Sequence, residues 1–365
     1  MLCWNAVNSA PAERERLLAL LAAVEDPARA AALDPGDPLL LTVARHHRLT
    51  PLLSVVCAGT LPPALAAPLR RDRAVTAARG LLLGQVAEQC LRGFAAAGIP
   101  AIVLKGLDYE ARLYAAASAR PTSDVDLLVP NSARRDAFAV LDRLGFEPRA
   151  AAPGFDDADY HEVAWQRGPI EIDLHLALAP FARCRIDYDA IWNEAQRVRI
   201  GQTDALGLAP IHAAIFHALH MAIDHFDVPA LYLVDMSRLL PDPDRRRAAD
   251  ETARAWRCRR PLLTATSLTA AFLPEWARGQ PAGEPGPLTR RVIAGYGPVA
   301  ALPRREQLLR KLAHFDVLSD ALRYLAVQSR RNVREELERR IFKRSPRERL
   351  ELSSKRLALP SERRD

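Results

Sequence analysis

Residues 170–176 read Ile-Glu-Ile-Asp-Leu-His-Leu, an unbroken alternation of apolar and polar side chains. A period of two belongs to a β-strand with one face in a core. Ile170, Ile172, Leu174 and Leu176 are therefore expected to be buried together, with Glu171, Asp173 and His175 on the opposite face. Residues 122–129 repeat the pattern: Val125, Leu127 and Val129 point one way, Asp124 and Asp126 the other. Acids at i and i+2 lie about 6.6 Å apart along a strand. In a partly buried site two such charges repel, and at least one is pushed toward protonation. A divalent cation removes the conflict. If the two strands are neighbours, up to four carboxylates and an imidazole share one side of a sheet. Hard oxygen donors in that number favour Mg²⁺ or Mn²⁺, with His175 touching a ligating carboxylate or the substrate rather than the ion. Taken singly, a D-x-D on one strand has a plainer reading as a solvated strand face.

The alternation is confined to the middle of the chain. Residues 1–98 read as helical, in segments 11–32, 38–57 and 63–97, the last stopped by Gly98 and Pro100. Residues 101–104 form a short apolar strand, and Gly106 opens a helix to about residue 117. A strand over 122–129, a helix over 132–144 ending at Gly145, and strands 162–166 and 170–176 around a Gly168-Pro169 turn follow. The helical period returns at 211–224 and 231–240, and a Pro/Gly-rich linker spans 274–287. The fold class expected is α+β: a small mixed β-sheet core over residues 99–200, flanked by an N-terminal helical region (1–98) and a C-terminal helical region (201–345). A basic tail (346–365) that need not be ordered completes the chain.

Lys105 and Gly106 stand at a strand-to-helix junction, where free N–H groups and the positive end of the helix dipole attract phosphate. Gly106 permits close approach and Lys105 adds a point charge. Arg120, four residues before Asp124, reaches toward the same anion. Glu171 reads best as a strand-end acid paired with an arginine.

In this order, Leu-Lys-Gly (104–106), Arg-Pro-Thr-Ser-Asp-Val-Asp-Leu-Leu-Val (120–129) and Ile-Glu-Ile-Asp-Leu-His-Leu (170–176) resemble the motifs of an uncharacterised bacterial nucleotidyltransferase family within the DNA polymerase beta-like nucleotidyltransferase superfamily. The resemblance extends over about 38–240, through His-Ala-Leu-His (217–220) and Leu-Val-Asp-Met (233–236), and leaves the last hundred residues unmatched. It implies a nucleotidyltransferase core in which Asp124, Asp126 and Asp173 are the catalytic, metal-binding carboxylates. Lys105, Gly106, Arg120 and His175 would surround the nucleotide, Gly106 at its phosphates. The reaction implied is Mg²⁺- or Mn²⁺-dependent transfer of a nucleoside monophosphate from a nucleoside triphosphate to a hydroxyl on a small molecule, peptide or protein, releasing pyrophosphate. The chain departs from the superfamily at one point, carrying Lys105-Gly106-Leu107 where Gly-Ser or Gly-Gly is usual. That departure supports the alternative of a catalytically inactive relative that binds a nucleotide or partner.

His217 and His220 (i, i+3) and Asp224 share a helix face, with His212, His225 and Asp235 nearby, which invites a metal-hydrolase reading. No other feature completes such a site, so packed histidines are the expectation; the resemblance adds His220 and Asp235 as acceptor-pocket residues. The formal charge is +7. Residues 330–365 carry 13 Lys/Arg against 7 Asp/Glu, so the basic character belongs to that tail. From Arg330 its spacing is that of an amphipathic basic helix, usually a solvated face with i, i+4 salt bridges to Glu335, Glu336 and Glu338; a nucleic-acid or anionic-membrane contact is the sharper alternative, and the near absence of aromatics disfavours single-strand binding. The five cysteines form no C-x-x-C pair and read as reduced and packed. Apolar runs 17–24 and 39–43 are too short to span a bilayer, Glu13 and Glu15 argue against a signal peptide, and a cytoplasmic location is expected.

Overall fold

The period-two segments become strands that lie side by side at the centre of one seven-stranded mixed sheet. The structure, a computed structural model, describes residues 5–149, 161–180, 184–278, 285–298 and 303–312, and parts of 315–329. Along the chain run α1 (Asn5–Glu25), α2 (Leu40–His46), α3 (Thr50–Val56), α4 (Pro63–Ala96), β1 (Ile102–Val103), α5 (Lys105–Leu113), β2 (Val125–Leu128), α6 (Arg134–Arg143), β3 (Glu147–Pro148), β4 (Glu162–Arg167) and β5 (Ile170–His175). Then come α7 (Tyr188–Asn193), β6 (Gln196–Ile200), β7 (Thr203–Gly207), α8 (Pro210–Ile223), α9 (Leu231–Leu239), α10 (Pro243–Ala255), α11 (Arg259–Phe272), α12 (Pro274–Ala277), α13 (Pro287–Ala294) and α14 (Arg304–Leu312). The basic tail, with its amphipathic run from Arg330 onward, lies outside the described residues, as does 279–284 of the expected linker.

Strand order is β3-β4-β5-β2-β1-β7-β6. β2 and β5 are parallel neighbours and β1 pairs in parallel with β7, while β1–β2, β3–β4, β4–β5 and β6–β7 are antiparallel. The hairpin β6–β7 was not anticipated. Its two-residue turn uses Gly201 at φ +56, a conformation open to glycine, and Val198 and Ile200, with the partly buried Ala205, give it an apolar face.

The apolar strand faces do what the alternation requires. Val125, Leu127, Val129, Ile170, Ile172, Leu174 and Leu176 join Leu83, Val86, Cys90 and Phe94 of α4 and Val140 and Leu141 of α6 in one core. Each such side chain, fully buried, contributes roughly 1.5–3 kcal/mol. The opposite face meets a larger core in which Ile102, Leu104 and Leu128 pack with Tyr109, Tyr114 and the helices α8 and α9. The carboxylates therefore face α8.

Several helices are shorter than their pattern suggests. Pro27 ends the first, with Asp26 capping a 3-10 turn at Pro27–Ala32. The 38–57 segment divides, because Pro51 lacks an N–H for His47 O and its ring would meet that carbonyl; Arg48 turns the chain in the left-handed region at φ +56. The helix after Gly106 stops at Leu113, where Tyr114 becomes extended and sends its hydroxyl to Asp235, 2.7 Å away. Cys57, Cys90 and Cys258 are buried and Cys184 partly so, and none of the four is in a disulfide. Among the described residues no helix is long and apolar enough to cross a membrane.

Candidate active site

The register of β2 and β5 sets Asp126 directly opposite Asp173. Asp124 lies one residue before β2, two positions from Asp126, so the three acids share the face turned to α8. Asp126 is buried; Asp124 and Asp173 are partly so. Their titration differs accordingly. Burial raises the Asp173 carboxyl, and the charge of Asp126 adds to it, bringing it to about 7. Burial and the Asp126 charge push Asp124 up as well, against the pull of Lys105. For Asp126 burial is outweighed: the Lys105 ammonium and the His175 N–H hold it below the usual carboxylate range.

Lys105 opens α5 with a left-handed backbone, φ +39. That twist turns its side chain into the sheet, where Nζ lies 2.7 Å from Asp126 Oδ1. His175 Nε2 donates to the same oxygen over 3.1 Å, and its Nδ1 stands 3.5 Å from Glu162 Oε2. The His175 ring packs edge-on against Phe216 of α8, 5.8 Å between centroids. Gly106 is fixed by contact, since a Cβ there would run into Cγ2 of Thr122. The Thr122 hydroxyl beside it is buried and makes no hydrogen bond.

Arg120 does not join the carboxylates. Its guanidinium is buried against Asp235 of α9, Nη2 to Oδ2 2.8 Å and Nε to Oδ1 3.0 Å, and also donates to Gly106 O at 3.4 Å. Asp235 is thereby taken up by Arg120 and Tyr114. Glu171 pairs with Arg149 at 2.7 Å. The histidines of α8 are held one by one: His217 Nε2 donates to Tyr232 O (2.9 Å), His220 Nε2 lies 3.3 Å from Tyr232 Oη, and His212 lies against Trp256. Among the described residues no three of these side chains stand together as a metal site would need. Tyr232 and Phe216, which sequence reasoning passed over, flank His220 on either side.

The donor set suits a hard divalent cation. Asp124 and Asp173 are carboxylates raised by burial and by the charge of Asp126, a penalty that a bound cation would relieve, and they flank Asp126 on one face. Among the described residues no three ligating side chains already stand in metal-holding geometry, and Asp126 Oδ1 is engaged by Lys105 and His175. Asp124, Asp126 and Asp173 are the residues that would hold such an ion.

Arg48, in the turn between α2 and α3, was also missed. Its charge is felt at both Asp124 and Tyr232. The sequence marks the turn through Pro51 but gives no sign that it folds over the sheet motifs.

Residues 35–274 match a family model described as an uncharacterised nucleotidyltransferase. Two solved structures are similar at low scores. One, the solution structure of the antibiotic-resistance factor ANT(2'')-Ia, is 14% identical with a TM-score of 0.36 over 47% of this chain and 91% of that one. The other, a crystal structure of ANT(2'')-Ia in complex with adenylyl-2''-tobramycin, is 16% identical with a TM-score of 0.32 over 53% and 98%. At these values the likeness carries no functional argument. No curated protein matches the chain.

Proposed function

Because the chain belongs to the uncharacterised nucleotidyltransferase family whose model it matches over residues 35–274, we propose that it moves a nucleoside monophosphate from a nucleoside triphosphate onto a hydroxyl of a small molecule, peptide or protein. The observation that carries this reading is the register pairing of Asp126 with Asp173 on parallel strands, with Asp124 beside them on the same face.

In this reading the acceptor hydroxyl attacks the α-phosphorus in line, the bond to the bridging oxygen breaks, and pyrophosphate leaves with the electron pair. Asp173, paired in register with Asp126, would take the hydroxyl proton. Mg²⁺ or Mn²⁺ bound by Asp124, Asp126 and Asp173 would neutralise the triphosphate and acidify the attacking hydroxyl. His175 fixes the orientation of Asp126. Gly106 keeps the turn against Thr122, where an added side chain would block it. Arg120, bound to both Asp235 and Gly106 O, holds that turn against α9 rather than touching phosphate.

A second reading, an inactive relative that binds a nucleotide or partner, draws on the 2.7 Å pairing of Lys105 with Asp126, a built-in counter-charge on a ligating oxygen. Pyrophosphate release separates the two. The full chain is incubated with each of the four ribonucleoside triphosphates, Mg²⁺ or Mn²⁺ and cell extract as acceptor source. Release by the wild type and its loss in Asp124→Asn supports transfer. Equal release by both proteins removes it, and triphosphate binding without release leaves the binding-only reading.

A further inference from the structure

Helix α4 is buried at its two ends and bare in the middle. Leu65 and Leu69 pack into the core of the helical regions, and Leu83, Val86, Cys90 and Phe94 into the core shared with the sheet, while none of residues 70–82 is buried. A surface helix ordinarily turns its apolar side to the protein and its polar side to water. Here that polarity is inverted. The inward side makes polar contacts, Asp72 with Arg45 (2.8 Å), Arg73 Nε to Ser118 Oγ (3.2 Å) and Arg79 Nη2 to Ser123 O (2.5 Å). The outward side carries Ala74, Val75, Ala78, Leu81 and Leu82 on one helical stripe, with Val75 67%, Leu81 72% and Leu82 44% exposed. Val75 and Leu81 are the two most exposed large apolar side chains among the described residues. Exposed leucines scattered singly need no explanation, but a contiguous apolar stripe marks a contact face.

We propose that this stripe pairs with the same stripe of a second copy of the chain, antiparallel, about a two-fold axis through Ala78. The positions are self-complementary in that register. Residues 74 and 82 lie equally far from 78, as do 75 and 81, so small Ala74 faces large Leu82 and Val75 faces Leu81, twice over. Ala78 meets its own copy at the axis, where a bare methyl lets the helices approach to about 8 Å. Charge selects the same arrangement. Arg71 and Gln85, both exposed, bound the apolar stripe at its two ends. In the antiparallel pair Arg71 faces Gln85 of the second copy, whose amide oxygen accepts from the guanidinium. The two Arg71 side chains then stand about 21 Å apart along the axis, beyond the reach of unscreened repulsion. A parallel pair would set Arg71 against Arg71, with Arg70 beside it. The stripe offers no carboxylate to a basic helix, so the chain's own C-terminal tail does not suit it. The pairing does not depend on the chemistry of the acids.

The test is sedimentation equilibrium of the full chain from about 1 to 100 µM. Wild type is expected to dimerise reversibly within that range. Leu81→Glu, which puts a charge into the seam twice per dimer, should weaken association about a hundredfold or more, tenfold for each copy. Leu263→Glu, at an exposed leucine of α11, should leave association unchanged. Because Leu81 is exposed, its variant should keep the melting temperature of dilute wild type. Cysteine variants read the register. A disulfide needs Cα atoms within about 7 Å, so Ala78→Cys should cross-link to its own copy under mild oxidation. Val75→Cys should cross-link to Leu81→Cys but not to itself, its own copy lying about 9 Å away along the axis. Self-linking of Val75→Cys, with none between Val75→Cys and Leu81→Cys, would mean a parallel pair and overturn the two-fold register at Ala78. A chain that stays monomeric at about 100 µM, or a dimer that Leu81→Glu leaves intact, overturns the pairing through α4 and gives the stripe to a different partner.

Discussion

Lys105 Nζ and Asp126 Oδ1 lie 2.7 Å apart in the sheet core, so the carboxylate best placed to ligate a cation already has one. Removing one partner of a buried pair leaves the other uncompensated and costs about 3–5 kcal/mol. Lys105→Met should therefore destabilise the metal-free protein by about that amount. A divalent ion should then replace the lost charge, so Mn²⁺ should raise the melting temperature of the variant more than that of wild type. Thermal melts in EDTA and in Mn²⁺ read this directly. An equal metal response in both proteins would mean that lysine and metal do not compete for Asp126.

Asp173 carries the opposite signature. Its folded value, about 7, lies above the ordinary 3.8, so the protonated form is the one the fold prefers. Its contribution to stability is whole below pH 3.8 and is lost as pH rises through about 7. Asp173→Asn mimics the neutral form. It should be more stable than wild type at pH 8, on the order of 1–3 kcal/mol, and equal to it at pH 4. If Asp173 is the proton acceptor, pyrophosphate release should at the same time fall about a hundredfold or more. Urea unfolding in EDTA at the two pH values, and the release assay run separately with the divalent ion, give the two answers. A variant no more stable at pH 8 would contradict the strain assigned to this carboxylate.

Gly106 and Thr122 form a steric pair. Alanine at 106 would drive its Cβ into Cγ2 of Thr122, an overpacking cost of about 1–3 kcal/mol. Thr122→Ser keeps the hydroxyl and removes that methyl. The double variant Gly106→Ala, Thr122→Ser should recover much of the loss, a coupling of at least about 0.5 kcal/mol in a double-mutant cycle. Strict additivity in urea unfolding would show that the glycine is needed for another reason.

The strands bearing the acids were legible because an alternating strand has one solution to burying its apolar face, and the same face set points Asp124, Asp126 and Asp173 together. Helices α8 and α9 were legible for the matching reason, a period of 3.6. What the chain did not announce depends on contacts between distant residues. Arg120 and Asp235 are separated by 115 positions, and nothing local says that this arginine turns away from the nearby acids. The side-chain direction of Lys105 follows from one unusual backbone angle. Strand β7 (Thr203–Gly207) has no clean alternation, being only partly buried, so its place beside β1 emerges only from the assembled sheet. Arg48 was hidden because the fold of the N-terminal helices over residues 121–123 is tertiary information.

His47 ties that N-terminal turn to the C-terminal helices. Its Nε2 donates to Gly297 O (3.0 Å) and its Nδ1 accepts from Ala230 N (3.2 Å), so both ring nitrogens are satisfied by the neutral imidazole. Burial lowers its pKa from 6.5 to about 4. Protonation would set a second N–H against the Ala230 amide. Because the folded value is depressed, stability from the neutral ring is whole above pH 6.5 and is lost as pH falls toward 4. Between pH 7 and pH 5 this one residue should cost wild type about 2 kcal/mol. His47→Gln can offer one donor and one acceptor but cannot titrate; it should be less stable at pH 7 and lose less on going to pH 5. Urea unfolding of both proteins at the two pH values checks the difference, and parallel losses would show that the acid sensitivity of the fold lies elsewhere.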